Sequence, residues 1–197
     1  RQPRPETSMT PSRKFIPYAW IAIIAIFLIR APHPAASGSA DPDVYWHLLY
    51  GHWILDHFSI PTVDMWSWTM AGKSYSLTQW LGEVAIAAAE RIGGEFGKQS
   101  LAALLASLTI MLSYKAARCY LPNRTAAIMS ALVGCTVMVS MTCRPHLFTF
   151  AGLAALSLIF SAHETAGRKW PLYLVPPIMA LWVNFHGGYA FGLIYLW

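Results

Sequence analysis

Two carboxylates and an imidazole lie close together in Asp41-Pro-Asp-Val-Tyr-Trp-His47. Asp followed by Pro is a helix start, with Asp41 as N-cap and Pro42 at the first helical position. Asp43 then falls in the first turn, where the helix dipole favours the ionised carboxylate. His47, four residues on, shares its face. Such a pair can bind a metal ion or handle a proton, and the same spacing equally suits a plain surface pair. Two later segments carry comparable groups. Arg144-Pro-His146 separates two apolar runs, where a guanidinium persists only with a counter-charge, with water or by snorkelling to the interface; Arg also grips phosphate bidentately. In Asn184-Phe-His186-Gly-Gly188 the glycines permit either a close backbone approach or a break between two helical halves. Walker, nucleophile-elbow and zincin patterns are absent from the sequence.

The elements that position these groups are apolar. Hydrophobic residues make up 56% of the chain and charged residues 12%, with mean hydropathy +0.43, whereas soluble domains carry roughly 25% charged residues. The composition predicts an all-α protein, a polytopic transmembrane helical bundle with a large external loop containing juxtamembrane helices. Residues 1–14 form a basic tail, 15–30 a first span, and 31–98 the loop, with juxtamembrane helices at about 42–57 and 77–92. Residues 99–197 form the bundle, with helices at about 99–114, 125–143, 147–162, 171–183 and 189–197. A signal peptide would resemble residues 1–30, but the later apolar runs favour an uncleaved first helix. Cys119, Cys135 and Cys143 lie in or beside spans without a C-x-x-C pair, and read as buried free thiols. Trp46, Tyr50 and Trp53 read first as interfacial anchors and second as rings lining a sugar site. Asp64 to Thr69 reads as an aromatic turn and Ala71-Gly72-Lys73 as a tight reversal. Lys98 and His163 read as ordinary interfacial residues.

Charge decides how the ambiguous segment 77–92 runs. If it does not cross, the N-terminal tail shares a side with 115–124 and 163–169, and that side holds nine of the 14 Lys and Arg but only Glu6 and Glu164 among the acids. If it crosses, the basic residues split seven to seven and the bias vanishes. The positive-inside rule therefore predicts a non-spanning 77–92 and a cytoplasmic N-terminus. Gln79, Glu83 and Glu90 would form one polar stripe on that helix, lying at the interface or beside the bundle. The long loop, Arg144-Pro-His146 and the 184–188 turn then all emerge on the outer face. The net charge of +5 is spread beside apolar segments rather than gathered in a patch, so no nucleic-acid partner is expected.

Several blocks resemble a known group. Asp41-Pro-Asp-x-x-Trp-His-Leu, Gly51-x-Trp-Ile, Pro61-x-x-Asp-x-x-Ser-x-Thr and Gln79-Trp-Leu-x-Glu resemble the opening of bacterial membrane glycosyltransferases of the C-type (GT-C) superfamily, in the mannosyltransferase and aminoarabinose-transferase neighbourhood. Arg144-Pro-His and Trp182-x-Asn-x-His-Gly-Gly resemble later blocks of the same group. The resemblance runs from about residue 15 to the end of the chain. It implies a multi-pass protein of the bacterial inner membrane that transfers a sugar, with inversion, from a polyprenyl-phosphate donor on the periplasmic face.

On that resemblance the catalytic base on the acceptor hydroxyl falls on Asp43 or Asp41. Arg144 neutralises the leaving phosphate, and His47, His146, His186 and Asn184 line the substrate site. No cofactor is certain, and a divalent metal ion stays open because members of the group differ. Membrane lipids and a polyprenyl-phosphate-linked sugar are the expected partners. Members of the group have more spans, and nine residues from 189 to 197 rise only about 13 Å. The chain is therefore expected to be a fragment or a shortened relative. The competing expectation is a non-catalytic subunit that uses the same scaffold to pack with other membrane proteins.

Overall fold

A computed structural model describes residues 42–139 and 142–197. The expected first span and Asp41 lie outside the described residues. Six α-helices follow in order: α1 (Asp43–His57), α2 (Trp80–Arg118), α3 (Asn123–Val139), α4 (His146–Ala166), α5 (Val175–Phe185) and α6 (Tyr189–Leu196), with a 3-10 turn at Trp170–Leu174 before α5. No strand occurs among the described residues. Two helices, α2 and α4, are long and apolar enough to cross a membrane.

Helix α1 buries Val44, His47, Tyr50, Gly51 and Ile54, the 3–4–3 spacing of one helical face, and lays that face on α2. Gly51 makes the approach possible: a Cβ there would stand 2.3 Å from the carbonyl oxygen of Glu83. Gly51→Ala is expected to pry α1 from α2 at a cost of about 1–3 kcal/mol, read as a lower unfolding temperature in detergent. Unchanged stability would mean that the two helices do not meet at this glycine.

Helix α1 ends at Phe58, which is left-handed (φ 49°) and donates its N–H to the carbonyl of Ile54. The connection to α2 folds back on itself. Asp64 accepts the N–H groups of Trp66 and Ser67 at 3.0 and 2.8 Å, Gly72 turns with φ 79°, and Val63 bridges Ser74. Those N–H groups hold the Asp64 carboxyl below its ordinary range. Tyr50, expected at the interface, is instead the centre of the seal: it is buried, stacks on Tyr75 and meets the edge of Trp66. Trp46 remains exposed and Trp53 stacks on His57.

Helix α2 bends at Gly94 (φ 58°, ψ −144°), a conformation open to glycine. Eight residues of straight helix would separate Ala89 from Gly97 by about 12 Å, yet a Cβ on Gly97 would lie 2.0 Å from the Ala89 carbonyl oxygen. The two arms, 80–93 and 95–118, therefore fold sharply on one another. The second arm runs parallel to α4, with Cys143 against the Lys98 carbonyl at one end and Tyr120 against Glu164 at the other. Helix α3 returns antiparallel along the second arm, with Gly134 against Ile110 and Asn123 bonded to Tyr114. Ile86, Ala102, Leu105, Ala106, Val137, Leu147 and Ala151 close the core; Ala102 and Ala106, fully buried, let the helices approach as small residues do in membrane bundles. Leu104, Ile128, Leu132, Phe191 and Ile194 are exposed, an apolar outer surface of the kind found at membrane or protein contacts.

Two expectations are corrected here. Lys98 is buried and paired with Glu95 at 2.7 Å, because the bend folds it beneath the first arm. Of the three thiols only Cys143 is buried; Cys135 is exposed on the apolar surface and Cys119 is intermediate. On the polar stripe of 77–92, Glu83 and Glu90 both turn to α1.

Candidate functional site

Four segments distant in sequence meet at one end of the two long helices: the start of α1, the first arm of α2, the turn before α4 and the joint between α5 and α6. Asp43 is ion-paired with Arg144, 101 residues away. Both side chains are partly exposed, as a group open to a ligand must be. Arg144 stands just before Pro145 and His146, at the N-terminal, positive-dipole end of α4. One turn along α1, His47 Nδ1 lies 3.1 Å from Glu83 Oε1. Thus Asp43 and His47, expected to act as a pair, reach different partners.

Glu83 is only 2% exposed, and its Oε2 has no hydrogen-bond partner among the described residues. Burial pushes its carboxyl above the ordinary range, and His47 opposes the shift. Gly82 beside it admits the Phe185 carbonyl and Pro145: a Cβ there would stand 2.4 Å from that oxygen. The first arm of α2 is thereby seated against both the α4 turn and the α5–α6 joint.

The joint is a chain of hydrogen bonds. Helix α5 stops at Phe185, His186 is extended, and α6 begins at Tyr189. Trp182 Nε1–H donates to Thr149 Oγ1 at 3.1 Å; Thr149 Oγ1 lies 2.8 Å from His186 Nδ1, and the Gly188 N–H donates to the same nitrogen at 3.0 Å. A backbone N–H only donates, so Nδ1 is an acceptor and neutral His186 carries its proton on Nε2. Gly188 has both expected properties: it ends the helical break, and a Cβ there would stand 2.3 Å from the Thr149 hydroxyl.

Burial pushes His186 below the ordinary imidazole range, and Arg144, with His146 and His47 in their protonated forms, adds to the shift. Its contribution to stability is therefore present above pH ~6.5 and lost as pH falls through the lowered value, where protonation also breaks the bonds to Nδ1. Wild-type unfolding temperature should fall on acidification through that window, more steeply than that of His186→Gln. Parallel pH curves for the two proteins would exclude His186 as the group responsible.

Asn184 is committed to the protein on both sides of its amide. Oδ1 accepts from Trp80 Nε1–H at 2.9 Å and Nδ2 donates to the Ala180 carbonyl at 2.8 Å. It ties α5 to α2 beside the site. Asp43, His47, Arg144, His146 and His186 are thus brought together. Asp41 lies outside the described residues. Glu83, legible in the sequence as part of a polar stripe and of the Gln79-Trp-Leu-x-Glu block, carried no expected site role, although an acid in an apolar helix already signals a partner. Thr149 carried no signal, being a hydroxyl within an apolar run, and Trp182 carried only its place in the Trp182-x-Asn-x-His-Gly-Gly block. Among the described residues no group of three or more His, Cys, Asp or Glu side chains is placed to hold a metal ion. The chain matches no family model, no curated protein and no solved structure.

Proposed function

We propose that this chain is a polytopic protein of the bacterial inner membrane, with a cytoplasmic N-terminus, and carries the site of a GT-C-like glycosyltransferase using a polyprenyl-phosphate sugar on the periplasmic face. The carrying observation is the Asp43–Arg144 ion pair at the meeting point of α1, α2, the α4 turn and the α5–α6 joint. A guanidinium beside a helix N-terminus suits a phosphate, and its carboxylate partner holds it in place. His47, His146 and His186 supply proton-bearing groups around it. The resemblance gives the acceptor proton to Asp43 or Asp41.

The helix geometry supports the same reading. The second arm of α2 and α4 are parallel, and 24 and 21 residues rise about 36 and 31 Å, near the thickness of a hydrocarbon core. The site lies at their starting end, while Lys115, Arg118, Arg168 and Lys169 lie at or just beyond the opposite end, as the positive-inside rule asks of a cytoplasmic side. In a cysteine-depleted background, Ser76→Cys and Ser100→Cys should both react with an impermeant maleimide from the outer face, and Lys115→Cys only from the inner face. Labelling of the first two from opposite sides would mean that the first arm crosses the bilayer, and the periplasmic site would be lost.

The activity test uses the full-length protein in nanodiscs with polyprenyl-phosphate mannose and polyprenyl-phosphate aminoarabinose. Release of polyprenyl phosphate, by transfer or slow hydrolysis, is the expected result. If neither donor turns over and polyprenyl phosphate itself does not bind, the transferase reading fails and a non-catalytic membrane subunit replaces it.

A further inference from the structure

Resting on the transferase reading, we infer that His47, rather than Asp43, is the base that takes the acceptor proton, with Glu83 as the buried residue that positions it. Asp43 is engaged by the Arg144 guanidinium, which suits it to holding the phosphate partner. One turn away, the imidazole of His47 has the features of an oriented base. Its Nδ1 faces the Glu83 carboxylate at 3.1 Å, and Nε2 makes no hydrogen bond among the described residues. A carboxylate that accepts Nδ1–H leaves the lone pair on Nε2, fixes the ring, and stabilises the imidazolium once the proton arrives.

Glu83 is an expensive residue to keep for packing alone. It is 2% exposed in an apolar arm, and one oxygen has no hydrogen-bond partner among the described residues, which leaves a desolvation cost uncompensated. Burial raises the carboxyl, so its ionised form gains most when a positive charge forms on His47. The pair is also coupled to the groups packed around it: Gln79 ahead of α2, Tyr50 and Tyr75 from the aromatic seal, and His186 from the other side of the site.

In the step itself, the acceptor O–H bond breaks and its proton passes to His47 Nε2 as the oxygen bonds to the anomeric carbon. The bond from that carbon to the phosphate oxygen breaks, and its electron pair leaves with the polyprenyl phosphate, whose charge Arg144 meets. His47 ends as an imidazolium against the Glu83 carboxylate. The proton is then lost to solvent and the site returns to its starting state.

Two measurements on the full-length protein in nanodiscs test the assignment. With ¹⁵N-labelled histidine, His47 at neutral pH should show a protonated Nδ1 and an unprotonated Nε2, whether or not any donor is present. With polyprenyl-phosphate mannose as probe, His47→Gln should lower kcat about 10²–10⁴-fold with donor KM within a few-fold, and added imidazole should restore part of the rate to His47→Ala. Glu83→Gln should lower kcat about 10–10²-fold with the same KM, and Glu83→Asp should be the milder of the two. An unfolding curve for each variant separates loss of chemistry from loss of fold. A proton fixed on Nε2 of His47, or a His47→Gln variant with wild-type kcat, overturns the base assignment and leaves the transferase reading standing. Absence of turnover and of polyprenyl-phosphate binding in the wild type overturns both.

Discussion

Arg144→Ala is expected to slow turnover of a polyprenyl-phosphate sugar about 10²–10³-fold, the loss typical of removing one group that meets developing negative charge. The partly exposed pair it forms with Asp43 contributes little to folding, as surface ion pairs are worth about 0–1 kcal/mol. Activity should thus collapse while the unfolding temperature changes little. Arg144→Lys keeps the charge but loses the planar fork, and should fall between the two. Asp43→Asn leaves the guanidinium without this counter-charge, so donor KM should rise more than kcat falls. A fall in kcat at unchanged KM would return the base role to Asp43. Wild-type turnover from Arg144→Ala, measured as released polyprenyl phosphate, would mean that the leaving group is met elsewhere, and the site as drawn would be wrong.

Trp182→Ala should give the largest loss of stability of any single substitution in the joint, about 3–5 kcal/mol, as for other buried aromatic truncations. The indole is 3% exposed and fills space kept open by two glycines, since a Cβ on Gly152 or Gly192 would stand 2.8 or 2.6 Å from its ring. Its Nε1–H also fixes the Thr149 hydroxyl that points to His186. Trp182→Phe retains most of the ring but not the donor, and should cost about 1 kcal/mol for the lost hydrogen bond plus the smaller ring's packing. Urea unfolding in detergent, followed by far-UV circular dichroism, measures both. Equal stability of Trp182→Ala and wild type would show that α5 and α6 are held by other contacts.

Period and composition placed several of the helices. The helix expected over about 42–57 runs Asp43–His57, and the apolar runs at 147–162 and 189–197 fall on α4 and α6. These depend on local rules: 3.6-residue periodicity, Pro and Gly as punctuation, and the length a bilayer requires. The break at 184–188 was legible for the same reason, because Gly187 and Gly188 end one helix and begin another without reference to distant residues. The bend at Gly94 was legible only as a gap between two apolar stretches. The sequence carries two adjacent glycines there and does not say how far the arms fold.

Residue types and their neighbours along the chain already show which groups need polar company: an Arg between apolar runs, acids on an apolar helix, and a His before two glycines. Desolvation cost is a property of each group alone, so it can be read one residue at a time. Which group satisfies which was decided only by tertiary structure. Asp43 and His47 are neighbours on one helix face, yet one finds Arg144 and the other Glu83. That division follows from the close approach at Gly51 and Gly82, where missing side chains let α1, α2 and the α5–α6 joint come within contact. Hydrogen bonds act over about 3 Å, and no spacing along the chain fixes a distance between helices to that precision.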